Sequence, residues 1–300
     1  MLLDLLRLLP HLVHLHLQDI FVTSAPAAQD EHALTSVKTL IISSRQEEIP
    51  SSDVLLLFNC FRRVENLEVD VPCFYNFRRA SAECPPPRAL AVHTVSAHGS
   101  MSETLFVHLA RSPSAYILHT LVLQDLEIFP LVGLQRLLAA THANLTRLSL
   151  SFRSFCGEPQ AETFAIVSLA CCIALRTLEI SVQAAPRDWR TVWQIIATIS
   201  AETNVALEDL TLVLRERGQV VSQDMWALSN RDVLSSVLST LARLNVHGAF
   251  KRFLLKKTAS EGWSSEEEVF PDALQSHAGI SRVPFGRLGG LGLGEHVRGD

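Results

Sequence analysis

The sequence predicts an α/β solenoid, in which short parallel strands and helices alternate along a stack of repeats. A six-residue pattern recurs about nine times in the 300 residues: an apolar residue, two variable residues, then two apolar residues separated by one. The segments between the copies carry apolar residues at helical spacing. The chain is 48% hydrophobic and 19% charged, so it has enough apolar side chains for one continuous core.

The clearest copy of the pattern contains Leu145, Leu148 and Leu150. Seven further copies have their apolar positions at Leu12, Leu15 and Leu17; Val37, Leu40 and Ile42; Val64, Leu67 and Val69; Leu118, Leu121 and Leu123; Leu175, Leu178 and Ile180; Leu207, Leu210 and Leu212; and Leu241, Leu244 and Val246. A degenerate copy has Pro87 before Leu90 and Val92. Successive copies begin 23 to 34 residues apart, so the predicted repeats are uneven.

Helices are predicted between the strands. The segment after Pro186 has Asp188 as a helix-capping residue and places one apolar face on a helix; the face comprises Trp189, Val192, Trp193, Ile196 and Ile199. Similar spacing predicts further helical faces at Val54, Leu57, Phe58 and Phe61; Leu105 and Leu109; Leu131, Leu134 and Leu138; Phe164, Val167 and Cys171; and Leu234, Val237, Leu238 and Leu241.

The repeats are expected to fill residues 1–250, beginning with a short helix before the first strand. Residues 251–285 are expected to form a charged loop and a C-terminal cap. Residues 286–300 hold six glycines and are expected to be a disordered tail.

The bulk chemistry excludes several classes of function. A net charge of −5 offers no basic stripe for nucleic acid. No stretch of 18 uncharged apolar residues is present, so no membrane span is predicted. No catalytic motif or phosphate-binding loop occurs, so the protein is not expected to be an enzyme or to hold a cofactor. His11, His14 and His16 lack a nearby carboxylate, and no metal site is predicted.

The six cysteines form no C-x-x-C pair. They are expected to be buried free thiols, which favours a reducing compartment, the cytoplasm or the nucleus. A disulfide between Cys73 and Cys84, which share one loop-rich stretch, is the alternative.

The candidate site is the surface that the strands present on the inner curve. Alternation along each strand places polar and small side chains there, and such a curved surface suits a protein or peptide partner. The predicted protein-binding residues are His14, His16, Thr39, Ile41, Asn66, Glu68, Thr120, Val122, Arg147, Ser149, Thr177, Glu179, Asp209, Thr211, Arg243 and Asn245.

The repeated pattern resembles a leucine-rich repeat, which implies a horseshoe with parallel strands on the concave face and helices on the convex face. Short uniform repeats of this kind carry Asn or Cys three residues after the last apolar position. The nine corresponding positions here hold neither, so the backbone groups of the turns must find other partners.

The long uneven repeats are similar to the repeat region of F-box/leucine-rich-repeat proteins. That resemblance implies a substrate receptor of an SCF-type ubiquitin ligase, which docks the Skp adaptor and cullin through its F-box. The first repeat begins at Leu12, so no F-box is expected within this sequence. Two alternatives stay open: a GTPase-activating type of regulatory repeat protein that uses Arg153 or Arg215, and a truncated fragment without function.

Overall fold

The computed structural model describes residues 6, 8–9, 11–19, 35–44, 57–73, 89–100, 103–126, 131–152, 167–183, 192, 194–200, 202–215, 239, 241–244, 250–258 and 264–269. The architecture is α/β, as predicted. Ten strands form one sheet in chain order: β1 His14–Gln18, β2 Thr35–Ser43, β3 Phe61–Cys73, β4 Ala91–Ser100, β5 Thr120–Leu126, β6 Arg147–Phe152, β7 Thr177–Gln183, β8 Asp209–Arg215, β9 Arg252–Thr258 and β10 Ser264–Val269. The first nine strands are parallel, and β10 pairs antiparallel with β9.

The apolar positions of the repeated pattern form continuous rows across the sheet. Leu121 of β5 is in register with Leu148 of β6, which is in register with Leu178 of β7. Leu210 of β8 continues the row, and all four side chains are fully buried. The pattern predicted these strands correctly because a parallel sheet with one covered face needs apolar residues at alternate positions.

Two helices lie in the described connections: α1 Glu103–Ala110 and α2 Val132–Ala140. Their apolar faces join the same buried cluster as the strands and confirm the predicted helical spacing; they comprise Leu105, Phe106, Leu109, Leu134, Leu137 and Leu138. A short 3-10 helix, Pro113–Tyr116, leads into β5. Helical residues are also described at 57–58, 192, 194–197, 239 and 241–244.

The degenerate fourth copy was assigned to the wrong residues. The register pairs Val64, Leu67 and Val69 of β3 with Val92, Val95 and Ala97 of β4. The true copy therefore begins at Val92, five residues after the predicted start at Pro87. Ala97 is small, whereas the residues in register with it on the neighbouring strands are Val69 and Leu123. The repeated pattern was not recognised at β4 for this reason.

The ninth copy was also misplaced. The buried residues Leu241 and Leu244 lie in a helical turn, whereas the ninth strand is β9, with Phe253 in register with Leu210. The supposed charged loop therefore contains a strand pair, and the sheet extends beyond residue 250. The charges of this segment have partners: Lys251 Nζ lies 2.6 Å from Glu208 Oε2, and Arg252 Nε lies 3.1 Å from Asp209 Oδ1.

Side chains from one repeat bond to the backbone of the preceding repeat, in place of the missing asparagines. The hydroxyl of Ser114 donates to Leu90 O (3.0 Å) and accepts from Val92 N (3.1 Å). Thr198 Oγ1 accepts from Leu169 N at 2.8 Å. Because the residue types differ from repeat to repeat, no fixed sequence position reveals these bonds.

Several other predictions can be compared with the described residues. Cys60 and Cys172 are buried free thiols, and Cys171 is a partly exposed free thiol. No described helix is long and apolar enough to cross a membrane. The cap at Asp188, the thiol of Cys84, the tail 286–300 and nearly all of the first helix lie outside the described residues.

Candidate functional site

One face of the sheet carries the core, and the other carries three rows of mainly polar side chains, which we call the polar face. The first row contains His14, Thr39, Asn66, Thr94, Thr120, Arg147, Thr177, Asp209 and Arg252. The second row contains His16, Ile41, Glu68, Ser96, Val122, Ser149, Glu179, Thr211 and Leu254. The third row contains Gln18, Ser43, Asp70, His98, Gln124, Ser151, Ser181, Val213 and Lys256.

Fourteen of the sixteen residues predicted for this face lie in its first two rows, in register on β1–β3 and β5–β8. The other two predicted residues are Arg243 and Asn245. Arg243 lies in a helical turn, and Asn245 lies outside the described residues. Arg252 and Leu254 of β9 take the positions expected for them. Thr94 and Ser96 were missed because the copy on β4 was misassigned.

The charges on the polar face are unevenly distributed. Its first row carries Arg147 and an ion pair between Asp209 and Arg252. On β1–β8, the second and third rows hold no Lys or Arg, and their carboxylates are Glu68, Asp70 and Glu179. Positions toward the carboxyl ends of these strands are therefore acidic, and they would attract a cationic partner.

A histidine links two carboxylates in the acidic part. His98 Nδ1 lies 3.2 Å from Asp70 Oδ1, and His98 Nε2 lies 3.2 Å from Asp125 Oδ2. The three residues belong to neighbouring strands, β3, β4 and β5. Asp125 has a φ of 54°, in the left-handed region that non-glycine residues seldom adopt. The imidazolium form can donate to both carboxylates, whereas the neutral ring can donate to only one.

The polar face is most enclosed at β6–β8. Ser149, Ser151, Ser181 and Thr211 are buried there, unlike the exposed side chains of Glu68 and Asp70. Ser149 Oγ donates to Glu179 Oε1 at 3.4 Å. The hydroxyl of Ser181, whose side chain is 2% exposed, has no hydrogen-bond partner among the described residues. The face thus passes from an open acidic region on β3–β5 to a closed hydroxyl-lined region.

The imidazole of His16 on the first strand contacts a side chain of the second strand. His16 Nε2 and Ser43 Oγ on β2 are 2.8 Å apart. Among the described residues, no group of three or more His, Cys, Asp or Glu side chains is arranged to hold a metal ion. Arg153 lies outside the described residues, and Arg215 is the last residue of β8.

Comparisons with family models, with curated proteins and with solved structures gave no match to this chain.

Proposed function

We propose that the protein binds another protein through the polar face. The observation that carries this proposal is the register of nine parallel strands, which sets three rows of side chains across one sheet face. A surface of this length presents many adjacent side chains to an extended partner. The acidic second and third rows, with Glu68, Asp70 and Glu179, favour a partner segment that carries Lys or Arg.

The repeat pattern and the chain-order sheet support a leucine-rich-repeat horseshoe, in which the polar face is concave. The resemblance to F-box/leucine-rich-repeat proteins extends the proposal to a substrate-recognition role in an SCF-type ubiquitin ligase. The free thiols of Cys60, Cys171 and Cys172 suit a reducing compartment, which supports our proposal of the cytoplasm or the nucleus as the location.

The test is affinity purification of the tagged chain from a eukaryotic lysate, followed by mass spectrometry. A variant that combines Glu68→Lys and Glu179→Lys reverses two charges of the second row, and Glu202→Lys reverses an exposed charge elsewhere. We expect a set of proteins that the wild type and Glu202→Lys recover but the double variant loses. Identical sets from all three chains would contradict binding through the polar face.

The same experiment tests the ubiquitin-ligase role separately. Recovery of Skp adaptor and cullin with the wild type would support a substrate receptor. Charge-dependent recovery of partners without Skp or cullin would support a stand-alone interaction protein and reject the ligase role.

A further inference from the structure

A second surface lies outside the polar face, in the turns that precede β5–β8. In each turn, the residue two places before the buried leucine of the repeat is apolar and exposed: Tyr116, Ala143, Ile173 and Val205. The exposed fractions are 77% for Tyr116, 46% for Ile173 and 48% for Val205. We call these four side chains the edge ladder.

The turns that hold the edge ladder are built alike and stack on one another. The amide of the buried leucine bonds back into its own turn, as in Leu145 N to Thr141 O at 3.0 Å and Leu207 N to Asn204 O at 3.1 Å. Ala174 N reaches His142 O in the preceding turn at 3.4 Å, and Asn204 Nδ2 reaches Cys172 O at 3.0 Å. The apolar side chains are therefore presented in a fixed series.

The spacing of the edge ladder favours a helical partner. Neighbouring strands are about 4.8 Å apart, so the four positions span about 14 Å. A helix with one apolar residue per turn covers three intervals in about 16 Å, because each turn rises about 5.4 Å. An extended peptide uses every second residue and covers three intervals in about 20 Å. A helix that lies across the strands matches the series more closely.

The charges beside the edge ladder favour an acidic partner. Exposed Arg and His side chains outside the polar face lie within five residues of its first three positions along the chain; they are Arg111, His119, His142 and Arg176. The described carboxylates of these turns, Glu202 and Glu208, lie at the Val205 end, and Glu208 is already paired with Arg176 and Lys251.

We propose that the edge ladder is a docking surface for an acidic amphipathic helix of a partner protein. The apolar side chains of that helix cover Tyr116, Ala143, Ile173 and Val205, and its carboxylates face the flanking Arg and His side chains. In this type of recognition, the partner helix contacts the surface through one apolar residue in each helical turn. It is independent of the polar face, so either surface can fail its test without the other.

The test uses the full chain and a fluorescein-labelled synthetic peptide of about five helical turns, with one Leu per turn and flanking Glu residues. Binding is measured by fluorescence anisotropy, with a scrambled peptide of the same composition as the control. We expect saturable binding of the amphipathic peptide and at least tenfold weaker binding of the scrambled one. Equal binding of both peptides, or binding of neither, would overturn the proposal.

Variants locate the site. Ile173→Glu should weaken binding at least tenfold, whereas Val132→Glu, which changes an exposed apolar residue of α2 outside the edge ladder, should leave it unchanged. Ala143→Leu enlarges the smallest side chain of the series and should tighten binding, a gain that unfolding cannot produce. An unchanged affinity in both Ile173→Glu and Ala143→Leu would overturn the proposal. So would a dimer of the free chain that Ile173→Glu dissociates, because the occupant would then be a second copy.

Discussion

The side-chain amide of Asn204 donates a hydrogen bond of 3.0 Å to the carbonyl oxygen of Leu169, 35 residues earlier in the chain. A second bond of 3.0 Å reaches Cys172 O, and Asn204 Oδ1 accepts from Ser200 N at 2.9 Å. One buried side chain thus satisfies backbone groups of two consecutive repeats. It performs the task that a regular asparagine series would perform, from a turn before the strand rather than after it.

Replacing Asn204 should destabilise the fold. Asn204→Ala removes three hydrogen bonds, those to Leu169 O and Cys172 O and the one from Ser200 N. Each such bond contributes about 0.5–1.5 kcal/mol to stability. The free energy of unfolding in urea measures this loss. Glu202→Ala, at an exposed position of the same turn, is the matched control and should change it little. Equal stabilities of the two variants would contradict the role of Asn204.

The ninth strand can be tested by truncating its core residue. Phe253 is 6% exposed and in register with Leu210, so Phe253→Ala should cost about 3–5 kcal/mol of unfolding free energy. Tyr116→Ala removes an aromatic ring that is 77% exposed and should change stability by less than about 0.5 kcal/mol. If residues 252–258 were a solvated loop, the two variants would be equally stable.

Cys171 should be the most reactive of the three described free thiols. The hydrogen bond from the neighbouring Cys172 thiol, with Sγ atoms 3.9 Å apart, lowers the pKa of Cys171 to about 7. Burial raises the pKa of Cys60 to about 11. Alkylation by iodoacetamide, followed by peptide mapping, should therefore rise at Cys171 through neutral pH and level off above it, since the thiolate is the nucleophile.

Substitutions of Cys171 and Cys60 distinguish the contributions of the two thiols to alkylation. Cys171→Ser should remove the fast alkylation phase, whereas Cys60→Ser should leave it intact. A rate at Cys171 that keeps rising steeply above pH 9, as for an ordinary thiol, would contradict the lowered pKa.

The carboxylate of Glu208 should make stability depend on pH. Its bonds to Lys251, and then to Arg176, hold its pKa below the ordinary value of 4.5. A lowered folded-state pKa stabilises the fold above the unfolded value, and this contribution is lost as the pH falls through the folded value. The melting temperature of the wild type should exceed that of Glu208→Gln at pH 7, and the difference should shrink by pH 3. An undiminished difference at pH 3 would argue against the ion pairs.

The sequence predicted the strands and their rows wherever large aliphatic residues filled the pattern, as at Leu145, Leu148 and Leu150. It failed where the fold accepts another size of residue, with Ala97 on β4 and Phe253 on β9. A search that admits Ala and Phe finds both true copies, beginning at Val92 and Phe250. The cross-repeat bonds of Ser114 and Asn204 could not be predicted, because they depend on which turns are brought together in space.

The candidate site also has a part that the sequence could predict and a part that it could not. Alternation along the strands was enough to place Glu68 and Glu179 on one face. The bridge from Asp70 through His98 to Asp125 was not predictable, because it needs the register of three strands and the left-handed backbone of Asp125. The edge ladder was missed because its residues lie in turns, where no strand or helix periodicity marks them.

The central claim, that the polar face binds a protein, is tested most directly by labelling carboxylates in the free chain and in its purified complex. Carbodiimide coupling of an amine, mapped by mass spectrometry, reports the accessibility of each carboxylate. We expect Glu68, Asp70 and Glu179 to be protected in the complex, while Glu202 stays as reactive as in the free chain. Unchanged labelling of the three polar-face carboxylates would contradict the claim.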